Sequence, residues 1–281
     1  MVYREGINGG LAMGDHDRRV RHIVSLSGGK DSSALAIYLR NRIPDLEYVF
    51  CDTGEELPET YEYLGRLQAF LGKPIVRLRP AGQSFRDLIE KRGGFLPSPS
   101  ARWCTRVLKI EPFEQYVGDD YVYSYIALRA DETGRKGYVS RKPNIVPRYP
   151  FIEDGIKHDD VVQILNDSGL GLPAYYRWRS RSGCYFCFFQ QRIEWVGLLE
   201  NHPDLFWKAA EFERIDESSG KRYTWSGQES LRELAQPERI AQIRQQHELR
   251  MMLLKAKQAE LANRPVCDES GSSIGCFMCE L

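Results

Sequence analysis

The residues with the clearest chemical signature lie between Ser27 and Ser32, where the sequence reads SGGKDS. A short apolar run precedes them and the helix-like ALAIYLRN follows, which predicts a strand, a glycine turn and a helix. Glycines let backbone N–H groups approach an anion closely, and the start of a helix adds partial positive charge. Lys30 adds a full charge, and the serines add hydroxyl groups. The pattern predicts a site for a di- or triphosphate.

A plain strand-to-helix turn would also contain a Gly-Gly pair, but turn chemistry does not need Lys30 and Asp31 beside the glycines. A Walker loop has four residues between its first glycine and Gly-Lys, and this segment does not. The segment instead resembles the PP-loop, SGGxDS, of the ATP pyrophosphatases. In those enzymes a substrate oxygen attacks the α-phosphorus of ATP, so the resemblance implies bound ATP and Mg²⁺, pyrophosphate release and an adenylated product.

Strand-like and helix-like segments alternate along the first half of the chain. Four segments read as strands: 22–26, 46–51, 74–78 and 121–128. Such alternation implies an α/β fold with a doubly wound parallel sheet, and the resemblance implies an adenine nucleotide alpha hydrolase-like arrangement. Ligands of such sheets bind beyond the carboxyl ends of the strands. Three motifs are expected at that edge: Ser27–Ser32, Asp52–Glu55 and Arg129–Glu132.

We predict three parts: a flexible arm at 1–20, a nucleotide-binding domain at 21–150, and a mostly helical region with CxxC pairs at 151–281. Basic residues with Gly and Pro between them occupy residues 129–148, which predicts a basic loop over the site or, equally, a solvated surface loop. A long helix is expected from about Pro237 to Asn263, with an apolar side that includes Met251 and Leu254. It either binds a partner, covers the cysteine site or packs on its own domain.

The composition bears on the protein's partners and on its cellular compartment. Lys+Arg and Asp+Glu each number 39, so the net charge is zero and gives no argument for a nucleic-acid partner. No apolar run approaches the ~20 residues of a membrane span, and the N-terminus lacks the apolar core of a signal peptide. We therefore expect a cytoplasmic protein without membrane partners. Thiols stay reduced there, so the seven cysteines indicate metal or sulfur chemistry rather than disulfides.

The cysteines form two CxxC pairs, CYFC at 184–187 and CFMC at 276–279. Two such pairs in a reduced chain are strong evidence for a metal or for redox sulfur, because the spacing lets two thiolates converge on one ion or cluster. In the zinc alternative, the four cysteines of the pairs form one structural site. Cys104 is a further possible ligand, Cys51 is expected to be a buried core residue, and Cys267 is ambiguous. Arg102 and Arg181 flank the cysteines and are expected to offset thiolate charge.

Six segments together resemble the phosphoadenosine phosphosulfate (PAPS) reductase family: SLSGGKDS, CDTGEELPETYEYL, RWCTRVLKIEPFEQY, LRADET, YPFIEDGI and RSGCYFCFFQ, over roughly residues 22–195. Adenylyl-sulfate reductases of that family hold a [4Fe-4S] cluster on a Cys-Cys pair and a distant CxxC pair. This chain matches three of those four cysteines, and Trp103 stands at the first position. The resemblance implies a cluster whose fourth iron is either open to a sulfur ligand or filled from the tail.

An intact PP-loop combined with cluster cysteines resembles the sulfur-incorporating component of DNA phosphorothioation systems of the Dnd and Ssp types. The resemblance implies an enzyme that adenylates a DNA phosphate, after which a sulfur donor displaces AMP. It also implies a cysteine desulfurase and other components of a modification complex as partners. Basic and aromatic residues interleaved over 175–192 suit a nucleic-acid backbone. They also suit a sulfate-nucleotide pocket, and some of them are expected to be core residues.

Three alternatives remain at this point: a tRNA-thiolating enzyme, a PAPS or adenylyl-sulfate reductase of sulfur assimilation, and a nucleotide-sensing subunit without turnover. Reductases of the family usually lack the Lys-Asp of the loop, since they split no pyrophosphate. The intact loop also argues against the sensing subunit. The sequence therefore favours thiolation, with DNA preferred over tRNA.

The predicted site has three groups of residues. The catalytic group is Lys30, Asp31, Arg129 and a sulfur-carrying Cys279. The nucleotide-binding group is Ser25, Ser27, Gly28, Gly29, Lys30, Asp31, Ser32, Asp52, Thr53, Gly54, Arg129 and Arg141. The cluster ligands are Cys104, Cys184, Cys187 and Cys276. Lys30 is expected to neutralise the leaving pyrophosphate, and Asp31 to help hold Mg²⁺ or orient the loop.

Overall fold

The computed structural model describes residues 20–262, with the exception of Ala81, Lys136, Tyr138, Val139, Ser182 and Glu217. Three of our predictions therefore lie outside the described residues. These are the N-terminal arm, the roles of Cys276 and Cys279, and the assignment of Cys267.

A parallel sheet of five strands forms the centre of the described chain, in the order β3-β2-β1-β4-β5. Its strands are β1 Arg21–Leu26, β2 Leu46–Cys51, β3 Ile75–Leu78, β4 Val122–Tyr125 and β5 Ile145–Arg148. All four pairings are parallel. Because β1 lies between β2 and β4, the order of strands reverses beside it, and a crevice is expected at that switch point. The predicted doubly wound α/β fold is confirmed.

The edge strand β5 corrects one prediction. Residues 129–148 were expected to form a loop throughout, but the last four pair with β4, from Val122 with Ile145 to Tyr125 with Arg148. The strand contains Pro147, although proline cannot donate a ladder hydrogen bond. On an edge strand the missing N–H can face away from the sheet, so proline is tolerated there.

Helices connect the strands. The helical segments are α1 Lys30–Leu39, α2 Pro58–Leu71, α3 Phe85–Glu90, α4 Trp103–Thr105, a π-helical stretch at Arg106–Ile110, α5 Glu111–Val117, α6 Pro150–Glu153, α7 His158–Asp167, a 3-10 turn at Ala174–Arg177, α8 Arg192–Asn201, α9 Pro203–Ala210, α10 Leu231–Leu234 and α11 Pro237–Ala262. Two short antiparallel strands, β6 Arg214–Ile215 and β7 Arg222–Tyr223, lie between α9 and α10. Local chemistry sets several ends, as at α3, where Ser84 and Asp87 form a capping box.

Apolar side chains cover both faces of the sheet. Leu35 of α1, Tyr63 of α2 and Val161 of α7 share one core cluster, while Val49 and Phe113 belong to a second cluster. Helix α7 packs on α1, so residues beyond 150 contribute to the same core as the nucleotide-binding part. We predicted a boundary after residue 150; the compact units of the structure divide between Ala235 and Gln236.

Helix α11 runs from Pro237 to Ala262, close to the predicted bounds. Two residues of its predicted apolar side, Met251 and Leu254, are 41% and 44% exposed. The predicted partner role of this helix stays a prediction. Among the helices of the described residues, none combines the length and the apolar character that a membrane crossing requires.

Candidate nucleotide and cysteine site

The glycine loop joins β1 directly to α1, as predicted. Gly28 has a φ of +70°, which favours glycine, and Gly29 precedes the first residue of the helix. Ser27 and Ser32 close the loop: their Oγ atoms lie 3.0 Å apart, and the Ser27 N–H donates to Ser32 Oγ at 3.1 Å. The loop therefore holds its shape through its own serines, with the start of α1 directed at its mouth.

The two glycines also allow close packing behind the loop. A Cβ atom on Gly28 would lie 2.5 Å from Thr60 Cγ2, and one on Gly29 would lie 3.2 Å from Tyr176 Oη. The first distance is shorter than real Cβ contacts, so Thr60 or the loop would have to move. Packing therefore favours glycine at both positions, and the absence of a side chain also leaves room for an anion to approach the backbone.

We expect Gly28→Ala to disrupt the loop. The left-handed conformation costs an alanine about 1–2 kcal/mol, and the contact with Thr60 adds to that cost. ATP binding, measured by isothermal titration calorimetry, should weaken and the thermal midpoint should fall. Gly65→Ala is the control, because a Cβ on Gly65 of α2 would meet no neighbouring atom of the described chain within 4 Å; alanine favours a helix interior there. Parent-like ATP affinity in Gly28→Ala would contradict the assignment.

Charged side chains gather at the mouth of the loop. Lys30 Nζ lies 2.8 Å from both carboxylate oxygens of Asp31, and Arg129 Nη1 donates to Asp31 Oδ1 at 2.8 Å. Arg129 Nε donates to Asp131 Oδ1 at 2.9 Å. Burial lowers the pKa of Arg129, but the hydrogen bonds that it donates to Asp131 and Asp31 outweigh burial and raise it. The structure thus brings together the three predicted catalytic residues that it describes.

Asp52 is buried after β2, and both of its carboxylate oxygens have partners. Gly54 N–H and Tyr61 Oη donate to Oδ1 at 2.9 and 2.7 Å, and Arg79 donates to Oδ2 at 3.0 and 2.7 Å. Burial raises the pKa of Asp52, but these hydrogen bonds outweigh it and keep the pKa below its usual value. Asp52 therefore orients the Thr53-Gly54 turn, while its predicted part in holding Mg²⁺ stays a prediction.

Two of the remaining predicted nucleotide residues are exposed, whereas Thr53 is buried. Ser25 is exposed although it belongs to the central strand, and Arg141 is exposed in the bend before β5. Thr53 Oγ1 donates to Glu56 Oε1 at 2.9 Å. Contact of these three residues with a nucleotide stays a prediction.

Two tyrosines that we had assigned to a nucleic-acid surface instead contact the glycine loop. Tyr175 Oη donates to the Gly28 carbonyl at 3.2 Å, and the Lys30 N–H donates to Tyr176 Oη at 3.2 Å. Their rings stack with centroids 4.8 Å apart. The 3-10 turn that carries them thereby fixes the segment leading to the first CxxC pair against the glycine loop. Only the aromatic composition of 175–178 hinted at this contact.

The CxxC segment also pairs with the turn after β2. The Leu57 N–H donates to the Gly183 carbonyl at 2.6 Å, and the Tyr185 N–H donates to the Glu55 carbonyl at 3.1 Å. Cys184 thus forms an isolated bridge with Glu56. The chain after residue 180 is therefore held at the same edge of the sheet as the glycine loop.

Cys104, Cys184 and Cys187 are neighbours, as we predicted. Burial raises the pKa of Cys104 and of Cys184, and the nearby Cys187 thiolate would raise both further. Within the part of the chain that the structure describes, however, no three His, Cys, Asp or Glu side chains are arranged to hold a metal ion. Cys276, the predicted fourth ligand, lies outside that part, so the cluster stays a prediction.

Two cations border these cysteines. Arg179, which the sequence placed near the first CxxC pair, is 2% exposed and donates from Nη2 to the Cys184 carbonyl at 2.5 Å, while its Nε and Nη1 have no partner among the described residues. Burial lowers the pKa of Lys109, but Glu56 and the cysteines outweigh burial and raise it. The buried Arg179 with its unused donors fits a negatively charged, thiolate-bound group beside it.

Trp103 occupies the position at which the family has its first cysteine. Its ring stacks on Phe85 with centroids 5.6 Å apart, and the Arg92 guanidinium lies 4.5 Å from its centroid. Trp103 is therefore part of an aromatic cluster. Arg102 and Arg181, which we expected to offset thiolate charge, both lie over the ring of Phe189.

A parallel sheet with its switch point beside β1, a glycine loop opening into α1 and a cationic mouth define an α/β fold of the PP-loop type. Residues 21–145 match the family model described as the phosphoadenosine phosphosulfate reductase domain. The match covers the segment from β1 to the start of β5, and the resemblance to this family that the sequence predicted is confirmed there.

Individual relatives add little about activity. An uncharacterized protein of Methanocaldococcus jannaschii is 29% identical over 65% of this chain, and the chain spans only 45% of that relative's length. A PAPS reductase of Candida auris, solved with phosphate, is 14% identical with a TM-score of 0.47, covering 59% of this chain and 82% of its own. The U34-tRNA thiolase NcsA of Methanococcus maripaludis, with its [4Fe-4S] cluster, is 14% identical with a TM-score of 0.39, covering 69% and 71%. At such scores the two structural likenesses add nothing to the assignment.

Proposed function

We propose that this protein is an ATP-dependent adenylating sulfur-transfer enzyme that activates a backbone phosphate of DNA for phosphorothioate modification. The observation that carries the proposal is the cationic mouth of the glycine loop, where Lys30 and Arg129 meet at Asp31. The domain match at 21–145 supports the coarser conclusion, an enzyme of the PP-loop and PAPS reductase class.

The proposed reaction consists of two displacements. A non-bridging phosphate oxygen of DNA attacks the α-phosphorus of ATP, the bond to the β-phosphate oxygen breaks, and pyrophosphate leaves. Hydrosulfide then attacks the activated DNA phosphorus, a P–S bond forms, and AMP leaves with the oxygen that made the first attack. The hydrosulfide proton is released to solvent. No oxidant or reductant is needed when hydrosulfide is the donor.

The side chains at the loop fit the first displacement. Lys30 would neutralise the leaving pyrophosphate, and Arg129 would hold a phosphate through its forked N–H groups. Both now bind Asp31, so phosphate would replace that carboxylate as their partner. Asp31 would then be free to bind Mg²⁺, which prefers carboxylate and phosphate oxygens.

The cysteine segment supports the second displacement. Its contacts with the glycine loop through Tyr175 and Tyr176 hold it close to the proposed nucleotide site. An iron–sulfur cluster bound by Cys104, Cys184 and Cys187 alone would leave one iron open to the sulfur ligand, whereas Cys276 as a fourth ligand would fill that position. The unused donors of Arg179 support a negatively charged group at these cysteines.

A PAPS or adenylyl-sulfate reductase is the second candidate, because the matched domain carries that name. Such an enzyme splits no pyrophosphate and has no evident use for the Lys30–Asp31 pair. Thiolation of tRNA differs from the main proposal only in the nucleic acid that is activated.

The products formed from ATP distinguish these functions. The purified protein would be incubated with α-labelled ATP, Mg²⁺ and hydrosulfide, together with DNA or tRNA, and in parallel with PAPS and a dithiol reductant. The labelled nucleotides would be separated by chromatography, and pyrophosphate would be measured separately. The proposal predicts AMP and pyrophosphate in a DNA-dependent reaction. Sulfite formed from PAPS and the dithiol without ATP would support the reductase, and ADP with inorganic phosphate would contradict all PP-loop chemistry here.

A further inference from the structure

An exposed aromatic ring stands beside the cysteine segment and has no part in the mechanism above. Phe189 is 37% exposed. The guanidinium carbons of Arg102 and Arg181 lie 5.4 and 5.5 Å from its ring centroid, and both arginines are themselves exposed. We call these three side chains the Phe189 platform.

The charge of the Phe189 platform is available to an outside ligand. Neither Arg102 nor Arg181 pairs with a carboxylate among the residues that the structure describes. By contrast, exposed arginines nearby are neutralised: Arg106 pairs with Glu111 at 3.1 Å, and Arg192 pairs with Glu229 at 2.8 Å. The platform is therefore a local cationic patch on a chain of zero net charge.

The backbone beneath the platform is well defined. Two successive turns shape this segment. The first spans the CxxC pair, where the Cys187 N–H donates to the Cys184 carbonyl at 3.3 Å, and the second follows it, where the Gln190 N–H donates to the Cys187 carbonyl at 2.9 Å. The Gln190 side chain donates to the Tyr185 carbonyl at 2.6 Å. Each platform residue is within three positions of a predicted cluster cysteine. A ligand on the platform would thus lie at the edge of the cysteine site.

An exposed aromatic ring flanked by unpaired guanidinium groups suits single-stranded nucleic acid. Bases stack on aromatic rings and on guanidinium planes, while arginine also binds the flanking phosphates. An acidic peptide would satisfy the charges but would make no specific use of the ring. The combination of ring and charge therefore favours a polynucleotide with unpaired bases.

We propose that the Phe189 platform binds an unpaired base and the adjoining phosphates of the nucleic-acid substrate, and so holds the strand beside the cysteine site. This inference rests on the proposed function, in that it takes the substrate to be a nucleic acid. It adds a binding site on the cysteine side, separate from the cationic mouth that binds ATP.

Binding of a fluorescein-labelled single-stranded DNA, followed by fluorescence anisotropy over a range of salt concentrations, tests the platform. Phe189→Ala should weaken binding about 5-fold or more, from the loss of one stacked base. Arg102→Gln combined with Arg181→Gln should reduce the slope of log affinity against log salt by about 1.4, since two phosphate contacts are lost. Arg106→Gln is the matched control and should change neither quantity, because Glu111 already neutralises Arg106.

An abasic strand of equal length separates stacking from charge. The parent protein should bind it more weakly than the normal strand, whereas Phe189→Ala should bind both alike. Equal binding of the two strands by the parent, parent-like affinity in Phe189→Ala, or no binding by the parent would overturn the platform. Circular dichroism checks the fold, and Phe189→Leu, which keeps an apolar side chain without a ring, should also lose the preference for bases.

The outcome for the platform is separable from the outcome for the proposed function. ATP cleavage that depends on DNA in the parent, with unchanged strand affinity in Phe189→Ala, overturns the platform alone. ATP cleavage that depends on neither DNA nor tRNA overturns the proposed function, whatever strand affinity the anisotropy measurement gives.

Discussion

Alanine at Lys30 is expected to lower pyrophosphate release from ATP by about 100-fold or more, the usual effect of removing a group that stabilises developing charge. The Lys30 side chain is only 11% exposed and reaches the mouth of the glycine loop beside Arg129. Because the charge matters most as pyrophosphate leaves, the loss should be in kcat and not only in KM. A continuous pyrophosphate assay with saturating ATP measures it.

Lys91→Ala is the matched control, because Lys91 is an exposed lysine at the end of α3 and has no part in the proposed site. It should leave pyrophosphate release unchanged. Lys30→Arg keeps the charge and should retain more activity than Lys30→Ala. If Lys30→Ala released pyrophosphate at the parent rate, the role assigned to the glycine loop would be wrong.

Serine at Cys184 is expected to remove most of the iron from protein purified under anaerobic conditions. Cys184 is 7% exposed, and it lies beside Cys187 and the unpaired donors of Arg179, so loss of its thiolate would remove a central ligand. Iron and sulfide analysis, together with the visible absorption spectrum, measure the effect. Cys104→Ser and Cys187→Ser should behave in the same way.

Cys51→Ser is the matched control for these variants. Cys51 donates to the Lys109 carbonyl at 3.3 Å, and burial raises its pKa to about 11, as expected for a core thiol that binds no metal. The Cys51→Ser protein should keep its iron. Cys276→Ser and Cys279→Ser then decide between a filled fourth iron and an open one, since only a filled site loses colour. A colourless parent protein with stoichiometric zinc would contradict the cluster.

Features that depend on neighbours in sequence could be predicted well. The glycine loop, the start of α3 at its capping box and the length of α11 all follow from residues a few positions apart. The parallel order of strands also followed, because alternating strands and helices leave few topologies. From that order, the placement of Arg129 at the same edge as Lys30 could be inferred before the structure was known.

Contacts between distant segments could not be predicted in the same way. Tyr176 contacts the Lys30 N–H although the two residues are 146 positions apart, and Arg79 binds Asp52 over a separation of 27 positions. No local sequence pattern predicts either pair. Strand β5 was missed because it is short, contains Pro147 and obtains its partner only from β4. Arginines near the cysteines were recognised, but which of them is buried, paired or exposed depends on packing.

The central claim is the transfer of sulfur to a DNA phosphate at the cost of one ATP, and the product itself tests this claim most directly. The protein would be incubated anaerobically with ATP, Mg²⁺, hydrosulfide and DNA, and the DNA digested by nucleases for mass spectrometry. The account predicts nuclease-resistant dinucleotides heavier by the replacement of one oxygen with sulfur, formed with AMP and absent in Lys30→Ala. Parallel incubations would replace the DNA with tRNA, or with PAPS and a dithiol reductant. Unmodified DNA in the first incubation, together with thiolated tRNA or with sulfite released from PAPS in the others, would contradict it.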